Sequence, residues 1–169
     1  MIRLTISVAA ALLLAACSSD TGNMSSSGTG QNGPGGPGGY NAAGLSTGHY
    51  PPGSQEDLAQ TAGDRIYFDT DQSTITGQAR DTLERQVQWL QQNARIGVWV
   101  AGNCDERGTE EYNLALGQRR ANADRDYLAS RGIDPRRVQT ISYGKDRPVD
   151  PNSTPDAWGH NRNAITSVR

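Results

Sequence analysis

Gly102-Asn103-Cys104-Asp105-Glu106-Arg107-Gly108-Thr109 runs, after two glutamates, into Tyr112-Asn113-Leu114-Ala115-Leu116-Gly117-Gln118-Arg119-Arg120-Ala121-Asn122-Ala123. The first part is a short charged loop. The second reads as a helix, and Asn113 and Arg120 fall two turns apart along one of its faces. Asp105 and Arg120 are thereby expected to approach one another across the junction of loop and helix. A carboxylate beside a guanidinium, close to free N–H groups at a helix start, suits a ligand with an ammonium and a carboxylate on one carbon. On spacing alone, the same two residues could equally form a fold-stabilising ion pair.

Upstream of the loop, Ile96-Gly-Val-Trp-Val-Ala-Gly102 has the branched and aromatic composition of a strand. Before it, Ile75, Ala79, Leu83, Val87 and Leu90 follow helical spacing, with Asn93 as a helix end. Arg65 to Asp69 reads as a strand closed by the turn Thr70-Asp71-Gln72-Ser73. Downstream, Leu114, Ala121 and Leu128 form an apolar stripe, with Tyr127 beside it, on a helix that ends at Gly132. Val138 to Tyr143 and Ala164 to Val168 read as strands, with a proline-marked excursion and a short helical turn at Asp156–His160 between them. The order is β-α-β-α-β-β. Strands joined by helical crossovers predict an α/β (α+β) domain of two layers, a mixed sheet with helices on one face.

The start of the chain has a different character. Residues 1–16 read as a lipoprotein signal peptide: Arg3 gives a positive start, Leu4 to Ala16 is almost wholly apolar, and small residues precede Cys17. The apolar run is too short to span a bilayer as a helix. Acylation of Cys17 would make it a membrane anchor. Ser18 follows the cysteine rather than the Asp that retains some lipoproteins at the inner membrane, which favours the outer membrane. Residues 17–63 then hold the lipidated Cys and a Gly/Ser/Pro-rich linker with Asp20 as the one charge from Ser18 to Gln55. Such a composition buries too little apolar surface to offset its ordering entropy, so a disordered tether is expected. A Gly-rich coil of that length spans about 35–40 Å root-mean-square.

Residues 64–169 are a normal single-domain size. Their charge is mixed and nearly balanced, and no basic stripe marks a nucleic-acid surface. Cys104 has no partner in the chain if Cys17 is lipidated. His49 and His160 are the only histidines, no Gly-x-Ser-x-Gly elbow occurs, and no Cys-x-x-Cys or His-x-x-x-His spacing offers a metal site. Neither an enzyme nor a cofactor is expected.

The Asp-Glu-Arg-Gly-Thr loop and the Leu-Gly-Gln-Arg-Arg-Ala-Asn-Ala helix together resemble the OmpA-like peptidoglycan-binding domain family, in the wording of its peptidoglycan-associated lipoproteins. The resemblance covers Ile66 to about Val168. It implies a two-layer OmpA-like fold and noncovalent binding of the diaminopimelate of peptidoglycan stem peptides. Asp105 would meet the ammonium and Arg120 the carboxylate, with Phe68, Asp69, Arg107 and Leu116 around the pocket. It further implies a tether between outer membrane and cell wall within the Tol–Pal system, with TolB as a partner. The alternative is an OmpA-like lipoprotein outside that system. Two positions depart from the family's habit: Asn103 stands where His is common, and Asn163 where a second Arg, and a salt bridge, is usual.

Overall fold

The computed structural model describes Tyr50 to Arg169; the signal peptide, Cys17 and the tether as far as His49 lie outside the described residues. Helix α1 (Gln55–Thr61) is followed by strand β1 (Arg65–Tyr67), helix α2 (Gly77–Gln92) and strand β2 (Val98–Asn103). Helix α3 (Glu110–Ser130), a 3₁₀ turn (Pro135–Arg137) and strand β3 (Val138–Gly144) come next. Helix α4 (Pro155–Asn161) and strand β4 (Asn163–Val168) complete the fold. The sheet order is β1-β4-β2-β3. β2 and β3 run parallel, as a helical crossover through α3 requires, and β4 is antiparallel to both β1 and β2. The sheet is therefore mixed, as expected.

Side chains of a hydroxyl residue start each α-helix. Ser54, Thr76, Thr109 and Thr154 accept from Asp57, Ala79, Tyr112 and Ala157 N–H respectively, which satisfies otherwise orphaned donors. The core lies between helices and sheet. Leu83, Val87 and Leu90 of α2 meet Ile66, Val98, Val100 and Ala164 of the strands and Ala121 and Leu128 of α3.

Two expectations change. The segment 17–63 does not remain a tether to its end, because α1 belongs to the folded unit. Leu58 is fully buried in the core, and the Asp57 carboxylate accepts from Gly53 N–H and Trp89 Nε1, both at 2.9 Å. The apolar stripe of α3 is also displaced. Ala121 and Leu128 are buried, but Leu114 is exposed, and the inward face carries Asn113, Gly117, Arg120 and Asp124.

Candidate functional site

The carboxyl end of β2, the loop behind it and the first turn of α3 meet the loop that follows β1. Phe68 is buried, and Asp69 to Gln72 turn back, with Gln72 N–H bonding Asp69 carbonyl at 3.2 Å. Asp71 in this turn has φ +58°, alone among the described non-glycine residues in the left-handed region, which Asp tolerates better than most. Thr70, Asp71, Asp105, Arg107, Gly108 and Tyr112 line a concavity of about 290 Å³ there.

Asp105 is 6% exposed and its two oxygens are taken by arginine. Oδ1 accepts from Arg107 N–H (3.2 Å) and Nε (3.1 Å), while Oδ2 accepts from Arg107 Nη2 (2.7 Å) and Arg162 Nη1 (3.3 Å). Burial pushes the Asp105 carboxyl up, but the hydrogen bonds and charge of Arg107, with Arg162 behind them, outweigh it and hold the group below the usual carboxylate value. The resulting carboxylate holds Arg107 in a fork. The Arg107 guanidinium also stacks 4.4 Å from the Trp158 ring centroid, and its side chain is 43% exposed. Trp158 is itself anchored, since its Nε1 donates to Glu106 Oε1 at 3.0 Å, and Ser153 holds the other Glu106 oxygen at 3.0 Å. Lys145 closes the loop from the far side by donating to Gly108 carbonyl at 2.8 Å.

Arg120 behaves differently. It is fully buried beneath the two loops, with its guanidinium 5.2 Å from the Phe68 ring centroid. Nε donates to Gln72 carbonyl (2.8 Å), Nη1 to Asn103 carbonyl (2.7 Å) and Nη2 to Asp69 carbonyl (3.1 Å). Nη1 also reaches Cys104 Sγ at 3.4 Å. Three backbone carbonyls from both loops thus converge on one cation. Asp105 and Arg120 lie under the same loops, yet no salt bridge joins them among the described residues; the Asp105 partners are Arg107 and Arg162. Leu116 is buried on α3 and does not line the concavity. Cys104 is a buried free thiol between Asn113 carbonyl and Arg120 (3.4 Å each), and burial pushes its pKa up.

The two departures near the site are connected. Asn103 donates its side-chain amide to Asn163 Oδ1 at 2.8 Å, so two buried amides pair where the family's habit sets ionisable groups. The salt bridge to the loop comes instead from Arg162, which also donates to Phe68 carbonyl at 3.1 Å. Sequence reasoning named the loop that holds Gly108 but missed Thr70, Asp71, Tyr112, Trp158 and Arg162 as parts of this region. Only the Thr70-Asp71-Gln72-Ser73 turn and the Asn161-Arg162-Asn163 run gave any signal.

A larger concavity of about 480 Å³ lies on the open face of the sheet. Its lining, including Trp99, Ile141, Tyr143, Arg147 and Ile165, holds no carboxylate to pair with an ammonium.

A charged loop cradled by a mixed sheet and the start of a long helix is the layout of an OmpA-type domain, and the OmpA family model matches residues 67–162. The crystal structure of the peptidoglycan-associated lipoprotein from Burkholderia pseudomallei superimposes with a TM-score of 0.61 at 36% identity, over 63% of this chain and 90% of that one. The C-terminal domain of Helicobacter pylori MotB shares the fold, with a TM-score of 0.59 at 21% identity, over 63% of this chain and 84% of that one. In sequence, the chain is 52% identical to the peptidoglycan-associated lipoprotein of Rhizobium meliloti over 73% of its own length and 70% of the relative's. It is 47% identical to that of Agrobacterium fabrum over 95% of its own length and 84% of the relative's. The chain belongs to the OmpA family, among its peptidoglycan-associated lipoproteins.

Proposed function

We propose that this chain is a lipoprotein that binds peptidoglycan noncovalently through the diaminopimelate of stem peptides, and so ties the outer membrane to the cell wall. The observation that supports it most is the 290 Å³ concavity, where a guanidinium fixed by Asp105 and Trp158 stands beside the carboxylates of Asp71 and Asp105. The stem peptide's free centre carries one ammonium and one carboxylate, and both signs of charge meet it there. Phe68, Asp69, Asp105, Arg107, Leu116 and Arg120 are the residues assigned to this function. Arg107 and Asp69 are exposed at the site; Phe68, Leu116 and Arg120 support it from beneath.

The chemistry is binding rather than catalysis. A carboxylate locked to two arginines, as Asp105 is, makes a poor general base. Acylation of Cys17 supplies the membrane end, with the domain facing the periplasm. We further propose that the chain works in the Tol–Pal system with TolB as partner, in envelope integrity and in the invagination of the outer membrane at division. An OmpA-like lipoprotein outside that system is the alternative, and direct binding of purified TolB separates the two.

Purified sacculi provide the test of wall binding. The folded protein should sediment with them, and a free diaminopimelate stem peptide should release it. Arg107→Gln should weaken the affinity for sacculi by about tenfold or more, the loss of one charge-assisted contact. Sedimentation that ignores the competing peptide would overturn the reading.

A further inference from the structure

The helices pack on one face of the sheet. Side chains alternate along a strand, so Val98 and Val100 of β2 enter the core while Trp99 and Ala101 share the opposite, outer face. Ala101 stands between Ile165 of β4 and Ile141 of β3 in the strand register. A small residue flanked by larger ones sinks the floor, and the 480 Å³ concavity lies there, with Trp99 and Tyr143 as further walls. Its size is that of a ligand pocket. Trp99 is 39% exposed, a large aromatic surface that the fold leaves uncovered.

The charge of this face is one-sided. The Arg147 guanidinium stacks 3.7 Å from the Tyr143 ring centroid, which holds it in place beside the apolar walls. It joins none of the ion pairs among the described residues. Arg65 lies in the same cross-strand row, opposite Ile165, and its Nε is buried with no hydrogen-bond partner. No Asp or Glu lines the concavity. Cations without counter-ions beside aromatic and aliphatic walls suit an occupant with a bulky apolar group and a negative charge. Trp, Tyr and Arg are also the residues that carry most of the binding energy where proteins meet. A flat bilayer surface does not enter a depression, whereas a side chain standing out from a protein segment does.

We propose that this outer face docks an acidic protein segment, with one bulky apolar side chain of the segment over Ala101 and a neighbouring carboxylate on Arg147. The face shares no lining residue with the 290 Å³ concavity, so the proposal stands or falls apart from the stem-peptide reading.

Nuclear magnetic resonance of the isotope-labelled full chain in detergent tests it, with the tripeptide acetyl-Glu-Phe-Glu-amide as probe. The probe should move the Trp99 indole resonance and the amides of Ala101 and Ile165, and leave those of Arg107 and Tyr112 in place. Acetyl-Gln-Phe-Gln-amide should bind about tenfold more weakly or worse, for want of the charge-assisted contact. Acetyl-Glu-Ala-Glu-amide should lose a similar factor, for want of the buried ring. Arg147→Gln should bind the Glu and Gln peptides alike while sedimenting with sacculi as the wild-type protein does. Trp99→Gln should no longer distinguish Phe from Ala, and thermal melts check that both variants are folded. A preference for Glu that survives Arg147→Gln, resonances that move elsewhere, or no binding of the tripeptide overturns the proposal. So do resonances of this face that move only as the protein is concentrated, which would assign it to a second copy. Movement only on adding phosphatidylglycerol vesicles would assign it to a lipid surface and overturn the proposal as well.

Discussion

Asp124 is the buried residue with the least support. It is fully buried on α3, and neither carboxylate oxygen has a hydrogen-bond partner. With no cation to offset it, burial pushes its pKa from the ordinary 3.8 up to about 7. The folded protein therefore holds a proton there that the unfolded chain releases above pH 4. Since the folded state binds more protons between those values, stability falls as pH rises from about 4 to about 7 and levels off beyond. At about 1.4 kcal/mol per pH unit, that interval amounts to roughly 4 kcal/mol. Asp124→Val should remove this dependence. In urea titrations, its stability advantage over the wild-type protein should be larger at pH 8 than at pH 4 by roughly that amount. A gap that does not change with pH would refute the buried-acid account. Arg120 is the opposite case, a buried charge whose donors find three carbonyls, whereas the Asp124 oxygens find no partner and the group keeps its proton instead.

The seam between α3 and β2 is made by two glycines. A Cβ on Gly102 would collide with the Gly117 carbonyl, and one on Gly117 would collide with Ser142 Oγ and lie 2.7 Å from the Gly102 carbonyl. Helix backbone thus rests directly on strand backbone, which brings the first turns of α3 against the charged loop. Gly117→Ala should lift the helix. The gain in helix propensity is about 1 kcal/mol, against an overpacking cost of about 1–3 kcal/mol that is at its worst where the obstacle is backbone. A net loss in melting temperature, with weaker binding to sacculi, is expected; a more stable variant would show that the seam yields. Neither glycine announces this in the sequence, because close approach leaves no periodic trace. The elements themselves were legible wherever a period or a turn residue was strong, as in α2, β2, β3 and the Gly132 stop of α3. Helix α1 was not, since it buries Leu58 alone behind a Pro-Pro-Gly run. The α3 stripe misled, since its inward positions include Asn113, Arg120 and Asp124. At the site, the loop's own residues could be read. Arg162, Trp158 and Asp71 could not, because only the fold brings β4, α4 and the turn after β1 to the same place.

At the scale of the whole chain, membrane end and wall end are proposed to be separate devices joined by a tether. Because α1 is part of the folded unit, the expected tether runs from Ser18 only to about Gly53. A Gly-rich coil of that length spans about 30–36 Å root-mean-square, and stretched out it reaches roughly 120 Å. Anchored copies held within that reach of a polymer with many identical stems bind it at high effective concentration, so a modest single-site affinity is enough. The two devices should then come apart cleanly. Cys17→Ser removes the acyl attachment and leaves every residue of the folded unit unchanged. The variant should melt at the wild-type temperature and bind purified sacculi with wild-type affinity. It should also leave the membrane fraction of cells whose peptidoglycan has been digested, where the wild-type protein stays. If it still sediments with those membranes, something other than Cys17 holds the chain there. If it loses its affinity for isolated sacculi, the lipid end and the wall end are not independent, and the tether account fails.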